Sequence, residues 1–80
     1  MEVMFINYEE AQKLIPFFKV ASNDPHYGTP AMESARRILS ELLLVRNDMS
    51  YSTPGGRQII LRSEGDKEFL IDAIAALKVR

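Results

Sequence analysis

A chain of 80 residues without a single cysteine must hold its fold together by packing one apolar core. Disulfides, thiolate zinc sites and iron–sulfur clusters are all excluded. A chain this short also cannot divide into two parts that each bury enough apolar surface to offset their conformational entropy. The expectation is one small α+β domain spanning residues 1–80, with a net stability of about 3–5 kcal/mol. Small domains at that margin often gain a disulfide, a metal or a partner subunit, and here association is the route that remains.

At 46% hydrophobic and 26% charged residues, the composition suits a globular protein and no disordered, collagen-like or membrane-spanning class. The opening Met1-Glu2-Val3-Met4-Phe5-Ile6 has no basic residue and too few apolar positions for a signal peptide or a span, so the chain reads as cytoplasmic. A formal charge of −1 gives no overall field for nucleic acid or anionic membrane. The distribution is uneven: residues 1–35 hold two lysines against five acids, and residues 36–80 hold eight basic residues against six acids.

Val3 to Ile6 is apolar and partly β-branched, as expected of a strand. Asn7 follows as a helix N-cap, with Glu9 and Glu10 placed where the helix dipole favours negative charge. Ala11, Leu14, Ile15 and Phe18 then recur at helical spacing to near Ala21, with a kink or restart expected at Pro16. Ser22 to Thr29 collects turn formers, and Thr29-Pro30 reads as cap and first position of the next helix.

The apolar residues Met32, Ala35, Ile38, Leu39, Leu42, Val45 and Met49 make that central helix the strongest in the chain. Leu43 and Leu44 widen its apolar arc beyond what one small core needs. Met49 to Thr53 reads as a short strand turning through Pro54-Gly55-Gly56 into a second strand over Arg57 to Arg62. Ser63 caps a last helix whose stripe is Phe69, Leu70, Ala73, Ile74 and Leu77. The order β-α-α-(β)-β-α predicts three helices packed on a two- or three-stranded, mainly antiparallel sheet.

Catalytic chemistry has little to stand on. His26, the sole histidine, lies in a polar loop with no partner at motif spacing. Pro54-Gly55-Gly56-Arg57 lacks the lysine and following helix of a phosphate loop. Helix starts account for Glu9-Glu10 and for Glu64, Asp66 and Glu68 without a metal. No catalytic residue, cofactor or metal is expected, and the chain does not read as an enzyme.

The leading expectation is a small regulatory or adaptor protein that binds another protein and self-associates as a homodimer. Candidate interface residues are Leu43 and Leu44 on the central helix, with the edge of the first strand as the alternative surface. Tyr27 and Tyr51 join them, from the repeated Tyr-x-Thr-Pro at Tyr27-Gly28-Thr29-Pro30 and Tyr51-Ser52-Thr53-Pro54. Small cytoplasmic proteins of this kind are common among phage and mobile-element products, which sets a class expectation for origin.

A second expectation comes from Arg36-Arg37, Leu43-Leu44-Val45-Arg46, the turn Pro54-Gly55-Gly56-Arg57, Gln58-Ile59-Ile60-Leu61 and Ser63-Glu64-Gly65. This half of the chain resembles the recognition helix, wing and following helix of winged helix-turn-helix regulators. The resemblance implies DNA binding through Arg36, Arg37, Arg46 and Arg57. The long Ser22 to Thr29 segment, the lack of basic charge and the placement of Leu44 depart from that pattern.

Overall fold

The computed structural model describes residues 2–48 and 56–79. Their order is β1 (Glu2–Asn7), α1 (Tyr8–Ala21), a 3-10 turn (Pro25–Tyr27), α2 (Thr29–Asp48), β2 (Gly56–Leu61) and α3 (Glu64–Val79). The expected strand over Met49 to Thr53 lies outside the described residues, as does Tyr51.

Each strand leads into a helix through a side-chain cap. Asn7 accepts a hydrogen bond from the Glu10 backbone at 2.8 Å, and the Glu10 carboxylate accepts one from the Asn7 backbone at 3.1 Å. This reciprocal box satisfies two donors that the first turn of α1 would otherwise leave open. Ser63 caps α3 more simply, its hydroxyl accepting from the Asp66 backbone at 3.2 Å. Helix α1 runs through Pro16 as one continuous element. Helix α2 starts one residue earlier than the Thr29 cap predicted: Gly28 takes φ +80° and its carbonyl accepts from Met32. That left-handed backbone is the conformation that favours glycine.

Strands β1 and β2 form an antiparallel pair in the register Val3–Ile60, Met4–Ile59, Phe5–Gln58 and Ile6–Arg57. The core gathers between the inner face of this sheet and the helices. Ile6, Ile59 and Leu61 meet Leu14, Ile15 and Phe18 of α1, Ile38, Leu42 and Val45 of α2, and Leu70 of α3. Fully burying each such side chain is worth about 1.5–3 kcal/mol before entropy is subtracted. Helix α2 contacts every other element and is the hub of the packing. Helix α3 makes thinner contact, chiefly with α2.

Candidate functional site

Four features of the described residues bear on function. The first is the outer sheet face. Adjacent residues on a strand point to opposite faces, so burying Ile6, Ile59 and Leu61 turns Val3, Phe5 and Ile60 outward. Val3 and Phe5 are each 58% exposed and Ile60 44%. Because Val3 sits opposite Ile60, these apolar side chains share one face, which none of the described helices covers. Sequence reasoning missed this patch. Its signal was the unbroken apolar run from Val3 to Ile6, where a strand with one wet face alternates apolar and polar residues.

The second feature is a difference between the two sheet edges. The Ile60 backbone N–H donates to the Glu41 carboxylate of α2 at 2.9 Å, so this donor on the β2 edge is closed by a side chain. An N–H directed at Glu41 points away from β1, which makes Val3–Ile60 a non-hydrogen-bonded pair. By the alternation of an antiparallel ladder, Phe5–Gln58 is one too. The backbone groups of Val3 and Phe5 therefore point out of the far edge of β1. Among the described residues, no turn, cap or side chain claims them. Asn7 shares that direction, but its N–H is held by Glu10.

The third feature is the polar tie between α2 and α3. Arg37 Nε donates to Asp66 at 2.9 Å, and its terminal nitrogen donates to the other carboxylate oxygen at 2.8 Å. Asp66 is buried and also accepts from the Ser63 hydroxyl at 3.2 Å, while Arg37 reaches Ser34 at 3.2 Å. The Arg37 hydrogen bonds hold the Asp66 carboxyl down at about 2, outweighing the opposite push of burial, with Ser34 and Ser63 adding to them. Asp66 in turn raises the Arg37 guanidinium. A second tie joins α3 to β1, with Lys67 against Glu2 at 2.8 Å.

The fourth feature is an aromatic cluster beside an open groove. Phe69 of α3 lies 5.3 Å from Phe18, 6.1 Å from Phe17 and 6.0 Å from Tyr27, the last pair stacked. Next to it, α1 and α3 part to leave a groove of about 340 Å³ lined by Pro16, Phe17, Ala73, Ala76 and Leu77, with Lys13 also at its wall.

The structure separates the residues that the sequence grouped. Leu44 is 45% exposed on α2, whereas Leu43 packs against the core. Tyr27 stands apart from them, stacked on Phe69 and 42% exposed. Among the arginines, Arg36 is exposed on α2, Arg46 is half-buried and Arg57 is exposed at the start of β2. Arg37 is engaged by Asp66, so it cannot reach a phosphate without giving up that tie. His26 is exposed in the 3-10 turn, and its backbone N–H donates to Asp24 at 2.9 Å.

Among the described residues, no group of three metal-ligating side chains converges, and no helix is long and apolar enough to cross a membrane. No protein-family model, curated protein or solved structure matches this chain.

Proposed function

We propose that this chain is a small regulatory or adaptor protein that works by binding protein and self-associates as a homodimer, without catalysing a reaction. The observation that carries this reading is the uncovered surface on β1 and β2: Val3, Phe5 and Ile60 on the outer sheet face, beside a strand edge with unclaimed backbone groups. Two-stranded sheets are marginal in water, and exposed edges template pairing with another chain. Natural sequences guard such edges with lysine, proline or a covering loop. Strand β1 has no lysine or proline, and its one charged residue, Glu2, is already neutralised by Lys67.

Light scattering across a concentration series tests the reading. The expected result is a mass that rises from one chain to two as concentration increases. A mass of one chain at every concentration up to near-millimolar would remove the homodimer from the account.

A further inference from the structure

The geometry points to how two copies meet: β1 of one chain pairs antiparallel with β1 of a second, in the register that places Val3 opposite Phe5 of the second copy. This rests on the homodimer reading above and adds the surface and the register to it.

The edge specifies its occupant chemically. Outward N–H and C=O groups spaced along a strand are satisfied together by another extended backbone and by nothing more compact. The β2 edge is a poorer host, because Glu41 already holds the Ile60 donor. On β1 the available donors are those of Val3 and Phe5, since Asn7 has given its N–H to Glu10.

That donor set is self-complementary in one register. With Val3 opposite Phe5 of the second copy, two-fold symmetry repeats the pair, and every open N–H and C=O of both residues finds a partner. Moving the register so that Phe5 faces its own counterpart sets Val3 against Asn7, whose donor is spent. Moving it the other way sets Val3 against its own counterpart and no longer brings the Phe5 donor to Val3 or Phe5 of the second copy.

The side chains agree with this choice. On the outer face, Val3 lies between Ile60 and Phe5 of the second copy, so apolar groups that stand separately become a continuous row. On the inner face, the half-buried Met4 meets its own counterpart and joins the two cores through Ile59, Met4 and their mates. No like charges are brought into opposition, because Glu2 falls across from Ile6 and is paired with Lys67. A strand edge this short covers less than the roughly 800 Å² per partner of a standard interface. The dimer is therefore weak and concentration-dependent.

Amide hydrogen exchange on the native chain, read at low and high concentration, tests the pairing. Exchange at Val3 and Phe5 should slow about tenfold as dimer forms, while the Ile60 amide, already held by Glu41, should not change. The absence of cysteine allows a second readout that fixes the register. Among single variants, Met4→Cys should form a disulfide-linked dimer at least about tenfold faster than Val3→Cys or Phe5→Cys, because only it places its thiols face to face across the two-fold axis. A dimer whose Val3 and Phe5 amides exchange at the monomer rate would overturn the pairing and leave the homodimer reading standing. Faster cross-linking at Val3 or Phe5 would overturn the register. A chain that stays monomeric at every concentration would overturn both.

Discussion

Arg37 and Asp66 stand 29 positions apart in the chain, yet the guanidinium of one grips the carboxylate of the other through two hydrogen bonds of 2.9 and 2.8 Å. The pair is asymmetric: Asp66 is buried, while the Arg37 side chain keeps 40% of its surface in solvent. Removing either partner therefore has different consequences. Arg37→Met leaves a buried carboxylate without its cation and should cost about 3 kcal/mol. Asp66→Ala lets Arg37 turn to water and should cost about 1–2 kcal/mol. Urea unfolding of the two variants checks the order; an equal cost, or a larger one for Asp66→Ala, would contradict the burial asymmetry.

The same pair sets an acid limit. Asp66 titrates at about 2 in the fold against an ordinary value of 3.8, so the carboxylate is favoured by the folded state. The resulting stability, about 2 kcal/mol, is complete above roughly pH 5 and is lost as pH falls towards 2. Equilibrium unfolding measured between those limits should show this loss in the native chain and a much flatter profile in Arg37→Met. Parallel profiles would place the acid sensitivity elsewhere.

Asn7 closes β1 and opens α1 with one side chain. Asn7→Ala removes the side-chain half of the capping box and should lower stability by about 1 kcal/mol. The variant also bears on the register of self-pairing, which counts the Asn7 donor as spent on Glu10. Thermal unfolding of Asn7→Ala gives the first quantity, and a change of less than about 0.3 kcal/mol would mean that the cap contributes little.

The local rules of the sequence placed most of this fold. Asn7 and Ser63 cap the helices that their positions announce, and the stripes of α1, α2 and α3 face the core as their spacing requires. The antiparallel sheet and the α+β order also follow from the residues in sequence. Contacts that depend on how elements dock were hidden. Asp66 looks like a first-turn acid favoured by the helix dipole, and nothing nearby in sequence reveals that Arg37 will bury it. Glu41 likewise gives no local sign that it will hold the Ile60 backbone. The outer sheet face was legible in principle, since Val3-Met4-Phe5-Ile6 does not alternate, but the eye is drawn to the leucines of α2.

Those leucines now divide. Leu42 is fully buried, and Leu42→Ala should cost about 2–5 kcal/mol. Leu44→Asp, on an exposed site, should shift stability by no more than about 0.5 kcal/mol and leave self-association intact. Loss of the dimer in Leu44→Asp would move the interface from β1 to α2.

The arginines suggested by the winged-helix resemblance lead to a further expectation. With Arg37 engaged and a formal charge of −1, duplex DNA should not bind measurably even at about 50 mM salt. Binding that weakens steeply with salt, with a slope reduced by Arg36→Ala, would restore the nucleic-acid reading.

Sedimentation equilibrium of the native chain beside Phe5→Lys tests the central claim most directly. Phe5 is exposed, so the variant should fold with an unchanged melting profile, and the new charge guards the open edge. The account predicts a reversible dimer for the native chain and a monomer for Phe5→Lys at the same concentrations. A native chain that sediments as a monomer up to near-millimolar concentration would contradict it.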